Sequence, residues 1–70
     1  MFEYDILQEV GAIGEAGKSL KVVSWGGRAG KLDLRPWRKE GDELKPGKGL
    51  TLTEAEARDL YNVLGQYLAG

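Results

Sequence analysis

The stretch KLDLRPWRK, residues 31–39, decides most of what the sequence predicts about the fold. Side chains alternate between the two faces of a β-strand, so a strand here carries apolar residues on one face, namely Leu32, Leu34 and Pro36. The opposite face carries Lys31, Asp33, Arg35 and Trp37. We expect the apolar face to be buried and the face with the cations and the tryptophan to point toward water.

The segment KSLKVVSW, residues 18–25, repeats this arrangement on a second strand. The glycine-rich GGRAG, residues 26–30, predicts a turn between the two strands. The face of this strand pair that carries the cations and the tryptophans is called the aromatic face, and it comprises Lys21, Val23, Trp25, Lys31, Asp33, Arg35 and Trp37. The aliphatic face comprises Leu20, Val22, Ser24, Leu32, Leu34 and Pro36.

An earlier strand is predicted from FEYDILQEV, residues 2–10, where apolar and acidic side chains alternate. Its buried side is expected to carry Phe2, Tyr4, Ile6 and Val10, and its solvent side Glu3, Asp5 and Glu9. Glycines at three-residue spacing follow, and within a strand they indicate bulges or bends. We therefore expect a curved strand that continues to about Glu15.

The last third of the chain predicts a loop, a short strand and a helix. KEGDELKPGKG, residues 39–49, is polar and rich in turn residues, and a strand follows at residues 50–52. Thr53 and Glu56 have the spacing of a capping box. Apolar residues then recur at helical spacing, which predicts a helix over residues 54–68.

This helix has a wider apolar face than packing on one small sheet requires. Gly65, inside the helix, would allow close approach of another backbone. We therefore predict a two-fold dimer contact through the helix. Its expected interface residues are Leu60, Val63, Leu64 and Tyr67.

The composition describes a small globular chain without common stabilising cross-links. Its 70 residues predict one domain, residues 1–70, and the absence of Cys and His disfavours a disulfide framework or a structural zinc site. The net charge is −1, yet residues 18–48 hold nine cations against four anions. We expect no signal peptide, no membrane association and a cytoplasmic location, with the nucleoid as the site in a bacterium.

Several signatures of enzymes are absent or incomplete. GDELKPGKG resembles a P-loop, but five residues separate Gly41 from Gly47 where the motif needs four, and Gly49 replaces the magnesium-binding hydroxyl. Without His or Cys, the commonest general base and the strongest nucleophile are missing. We expect no enzyme, no cofactor, no metal and no small-molecule substrate.

The aromatic face predicts a binding function. Single-stranded nucleic acid is held by cations that follow its phosphates and by aromatic rings on which bases stack. Expected phosphate contacts are Lys18, Lys21, Arg28, Lys31, Arg35, Arg38 and Lys48, and expected stacking residues are Trp25 and Trp37. The alternatives are cations that only solubilise, tryptophans that only pack, or a protein-interaction or dimerisation module with the tryptophans as hot spots.

The ordered motifs KLDLRPW and GDELKPGKGLTLTEAEARDLYNVL also resemble a known family. They are similar to the positive-cofactor-four type of transcriptional coactivator, and VSWGG at residues 23–27 is similar to its compact bacterial branch. The family pattern is an aliphatic-Asp-aliphatic-Arg strand, a Lys-Pro-Gly loop, a short strand and one long helix. The resemblance covers about residues 18–68.

This resemblance implies an α+β fold, in which a curved antiparallel sheet of four strands precedes one C-terminal helix. It implies a homodimer, paired through the helices, that binds single-stranded DNA or melted duplex with little sequence preference and without catalysis. Arg35 falls where the family's strand arginine contacts DNA, and Trp25 and Trp37 fall near its aromatics. Roles in transcription, replication and repair, and binding of RNA, all stay open.

Overall fold

The computed structural model describes residues 3–70, so Phe2, predicted to begin the first strand, lies outside the described residues. Five strands precede one helix, as the predicted α+β class requires. They are β1 (Tyr4–Ile13), β2 (Lys18–Trp25), β3 (Lys31–Glu40), β4 (Glu43–Pro46), β5 (Leu50–Leu52) and α1 (Glu54–Ala69).

The strands form one antiparallel sheet in the order β1-β2-β3-β4, and β5 pairs with β3. The long strand β3 has two partners on one side, because its first half pairs with β5 and its second half with β4. The hydroxyl of Tyr4 in β1 donates a hydrogen bond to the carbonyl of Leu44 in β4. This bond joins the two outer strands, so the sheet curls around its aromatic face.

Strand β4 lies inside the segment that the sequence predicted to be a loop, and that prediction was wrong. The pairing of Glu40 with Glu43 leaves a two-residue hairpin loop, in which Gly41 has a φ of 63°. Glycine adopts this backbone conformation readily, and tight hairpins require it. The sequence did not predict this strand because its four residues, ELKP, are too few for their alternation to stand out within a polar segment rich in turn residues.

Two register shifts in β1 overturn the predicted alternation of that strand. They fall between Ile6 and Gln8 and between Glu9 and Gly11, so each adds one unpaired residue. Since one extra residue moves the following side chains to the other face, Glu9 pairs with Lys21 on the aromatic face. Val10, predicted to be buried, is exposed. The strand ends at Ile13, before Glu15, where a glycine turn begins.

The burial of the two sheet faces is the reverse of the prediction. The aromatic face is the more enclosed one, with Val23 0%, Asp33 0%, Lys21 4% and Trp37 8% exposed. The aliphatic residues Leu20, Val22, Leu32 and Leu34 are half-buried. The expectation that the aromatic face points toward water was therefore wrong for four of its seven residues, Lys21, Val23, Asp33 and Trp37, because the curled sheet closes over them.

Helix α1 begins as predicted, since Thr53 and Glu56 form both hydrogen bonds of the capping box. Within residues 3–70, α1 contacts only β3 and β5, and none of its side chains is buried. Val63 and Tyr67 are 61% and 80% exposed. No helix in the described part of the chain is long and apolar enough to cross a membrane.

Candidate nucleic-acid interface

The carboxylate of Asp33 is the centre of the aromatic face. Side chains alternate along β3, and that of Asp33 points inward. Its carboxylate accepts hydrogen bonds from Arg35 Nε, from Arg35 Nη2 at 2.7 Å, from Thr51 Oγ1 at 3.1 Å and from Trp25 Nε1 at 3.3 Å. Strands β2, β3 and β5 supply these donors. A buried carboxylate is stable only when it is paired and hydrogen-bonded, and these partners meet both conditions.

Arg35 covers one side of the Trp25 ring. The carbon of its guanidinium lies 4.6 Å from the ring centroid, which is the geometry of a cation–π contact. Its Nη1 also donates to the carbonyl of Gly47 at 3.3 Å. Arg35 therefore connects the indole with the loop that follows β4, while Asp33 compensates its charge.

Trp37 packs beneath this pair and does not point outward. Its ring lies nearly parallel to that of Trp25, with centroids 6.5 Å apart and planes inclined by 14°. Tyr4 contacts both indoles, with its centroid 5.5 Å from each. Trp37 thus supports Trp25 from below, whereas Trp25 is half-buried and reaches the surface.

Lys21, predicted to contact phosphate, is engaged inside the protein. Its ammonium pairs with the carboxylate of Glu9 and lies 5.5 Å from the centroid of the Trp37 ring. Glu9 itself is largely exposed. The ion pair leaves Lys21 without net charge to offer a ligand.

A groove opens beside Trp25 on the side of the β4–β5 loop. Its volume is about 690 Å³, and its lining consists of Trp25, Arg35, Pro46, Gly47, Lys48 and Gly49. The loop lies so close to β3 that a Cβ atom on Gly49 would collide with Arg35 and with the carbonyl of Leu34. Glycine at this position holds Lys48 next to the indole.

A smaller opening of about 190 Å³ lies on another side of Trp25. Arg28, Ala29, Lys31 and Thr51 line it together with Trp25. Arg28 is held at the β2–β3 turn, where its carbonyl accepts a hydrogen bond from Ser24 Oγ and its amide donates to the Trp25 carbonyl at 3.1 Å. Trp25 is therefore flanked by both openings, each with lysine or arginine in its wall.

Two of the predicted phosphate contacts lie elsewhere. Lys18 pairs with Pro36 on the aliphatic side of the sheet. Arg38 alternates away from Trp37 and forms an ion pair of 2.9 Å with Glu40. The structure brings the other seven predicted residues together around the aromatic face, namely Lys21, Trp25, Arg28, Lys31, Arg35, Trp37 and Lys48.

Three residues that bind side chains of the aromatic face had no predicted role, although Asp33 had been placed on the correct face. An aspartate two positions before an arginine on one strand faces the same way, and that spacing was the available signal for the ion pair of Asp33 and Arg35. Thr51 aligns with Asp33 only through the β3–β5 register. Glu9 reaches Lys21 only because of the first bulge in β1, between Ile6 and Gln8, whereas the glycines that predicted bulges lie further along the strand.

The arrangement offers binding chemistry. One indole presents a π surface beside grooves whose walls carry cations, and within residues 3–70 no carboxylate oxygen lies within 4.0 Å of a side-chain nitrogen of Arg28, Lys31 or Lys48. A π surface stacks on a nucleobase and free cations attract phosphates. Within the same residues, no cluster of three or more His, Cys, Asp or Glu side chains could hold a metal ion.

Comparison with known proteins gives the chain a relative. An uncharacterized protein of Treponema pallidum (strain Nichols) is 41% identical over 68 residues, which cover 87% of this chain and 78% of the relative. No model of a protein family matches the chain. Since the identity is high and extends over most of both sequences, the chain belongs to the same family as this Treponema pallidum protein.

Proposed function

We propose that this protein binds single-stranded nucleic acid, with DNA as its ligand, and that it acts as a cytoplasmic homodimer without catalytic activity. The observation that carries the proposal is the position of Trp25. It is the indole of the aromatic face that reaches the surface, and it is flanked by grooves that contain Arg28, Lys31 and Lys48. This combination of a stacking surface with flanking cations suits unpaired bases and their phosphates.

The resemblance to the positive-cofactor-four family supports DNA as the ligand and little sequence preference. Arg35, Trp25 and the Lys-Pro-Gly loop are the residues on which that resemblance depends, and all of them line the larger groove or lie beside it. A role in transcription fits the family, and protection of exposed single strands is the minimal function.

The proposed homodimer is supported by apolar surface that the single chain leaves uncovered. Helices in proteins gain most of their stability from packing of an apolar face, and α1 leaves Leu60, Val63, Leu64 and Tyr67 exposed along one side. The aliphatic face of the sheet is also only half-buried. A second copy of the chain would cover matching surfaces around a two-fold axis.

A titration that follows tryptophan fluorescence tests the function. Oligothymidine should quench the emission, because bases stack on Trp25, whereas duplex of the same length should have little effect. Oligouridine in a parallel titration distinguishes DNA from RNA. Unchanged emission with all three ligands would contradict the proposal and favour a module that uses the aromatic face to bind a polypeptide.

A further inference from the structure

We propose that Asp33 is a positioning residue for nucleic-acid binding, which fixes the Trp25 indole and the Arg35 guanidinium as one preformed platform. The inference rests on the proposed function and deepens it. Asp33 lies beneath the surface and touches no ligand, so it acts through the two residues that do.

The burial and bonding of Asp33 are unusual for a charged residue in so small a protein. It is fully buried, and its two carboxylate oxygens accept four hydrogen bonds from three side chains. A buried polar network whose members are all satisfied holds one arrangement of its side chains. The donors come from β2, β3 and β5, so this arrangement is tied to the sheet itself.

For Trp25 the consequence is a fixed ring that presents no hydrogen-bond donor. An indole has a single N–H, and that of Trp25 points inward to Asp33 at 3.3 Å. The indole nitrogen of Trp37 is buried as well. Neither ring can donate to the edge of a base, so recognition through these rings depends on stacking, which is tolerant of sequence.

For Arg35 the consequence is that its guanidinium is held in one orientation while its charge is neutralised by Asp33. Two of its nitrogens bind Asp33, which holds the planar guanidinium over the Trp25 ring. Its Nη1 donates to the carbonyl of Gly47 at 3.3 Å, and the side chain lines the groove that Lys48 also lines. Arg35 and Trp25 are therefore already ordered in the free protein. A preformed site loses less conformational entropy on binding.

The test replaces Asp33 in the full-length protein labelled with ¹⁵N at tryptophan. In Asp33→Asn, the indole N–H signal of Trp25 should shift and exchange faster with water, while that of Trp37 stays in place. Affinity of the folded variant for oligothymidine should fall roughly tenfold, because the indole and the guanidinium are no longer preformed and lose conformational entropy on binding. The titrations use about 0.5 M salt, so that screening suppresses the uncovered charge of Arg35.

Glu9→Gln is the matched control. Like Asp33→Asn, it neutralises the carboxylate of an ion pair on the aromatic face. That pair is Glu9 with Lys21, and it does not contact Trp25 through a hydrogen bond. Its Trp25 signal and its affinity at this salt concentration should equal those of the wild type. A purely structural role of Asp33 would change stability and leave the affinity of the folded fraction unaltered.

Thr51→Val provides a second variant, because removal of one partner from a buried ion pair can unfold a protein. It deletes one hydrogen bond to Asp33 and keeps every charge. We expect a smaller shift of the Trp25 signal and an affinity loss of about threefold. If the wild type binds oligothymidine and the folded variants bind it equally well, the inference fails and the proposed function stands. If the wild type binds no oligonucleotide, the proposed function fails and the inference fails with it.

Discussion

The guanidinium carbon of Arg35 lies 4.6 Å from the centroid of the Trp25 ring, while Asp33 holds the same guanidinium from below. The ion pair and the cation–π contact therefore share one cation. What reaches the surface is a rigid plane with little net charge, and the free positive charge lies at its sides on Arg28, Lys31 and Lys48. The two components of single-strand binding can thus be tested separately.

Trp25→Ala should weaken binding of oligothymidine by about 1–3 kcal/mol, the typical contribution of one base stacked on an aromatic ring. Fluorescence anisotropy of a labelled oligonucleotide measures the affinity. Tyr61→Ala is the control, because it removes an exposed aromatic ring from the helix. Equal affinities of Trp25→Ala and the wild type would show that bases do not stack on this indole.

Trp37→Ala should destabilise the fold by about 3–5 kcal/mol, because truncation of a buried aromatic leaves a cavity. Trp37 is 8% exposed and packs against Tyr4, Trp25 and Lys21. Urea unfolding followed by circular dichroism gives the free energy of unfolding. If Trp37→Ala lowered the free energy of unfolding by less than Trp25→Ala does, the assignment of Trp37 as a packing residue would be wrong.

Lys48→Ala should make binding of oligothymidine less dependent on salt. The logarithm of the affinity falls by about 0.7 per neutralised phosphate for each logarithmic unit of salt, so three free cations predict a slope near −2 per protomer. Lys48→Ala should reduce this slope by about 0.7. Arg38→Ala removes an exposed cation from the opposite side of β3, and the slope should not change. Equal effects of the two variants would argue for general attraction without a defined interface.

Leu64→Asp should dissociate the proposed homodimer, because it places a charge on the exposed apolar side of α1. Light scattering of the wild type at micromolar concentration should give twice the 7.7 kDa mass of the chain, and the variant should give the single mass or unfold. Asn62→Asp adds the same charge on the opposite side of the helix and should remain dimeric. A monomeric wild type would contradict the dimer.

The sequence was sufficient where local rules determine the outcome. Strands β2 and β3 pair without a register shift, so strict alternation assigned Lys21, Trp25 and Arg35 to one face correctly. The capping box at Thr53 likewise depends on residues three positions apart. In such segments, neighbouring residues carry the information that sets the structure.

The sequence was insufficient where distant contacts decide. Which face of the sheet closes depends on contacts between strands far apart in sequence, such as that of Tyr4 with Leu44, forty positions away, and no local pattern predicts them. The side on which Glu9 lies depends on the bulge between Ile6 and Gln8, where the sequence alternates regularly. These two features moved Trp37 and Lys21 from the predicted surface into the interior and reduced the predicted set of free cations.

Mapping of backbone and indole NMR signals during titration with oligothymidine tests whether Trp25 and the cations beside it bind the single strand. We expect saturable changes to concentrate at Trp25, Arg28, Lys31 and Lys48, while Lys18, Arg38 and the exposed side of α1 stay constant. Changes confined to α1 or to the aliphatic face, or no changes at all, would contradict the proposed interface.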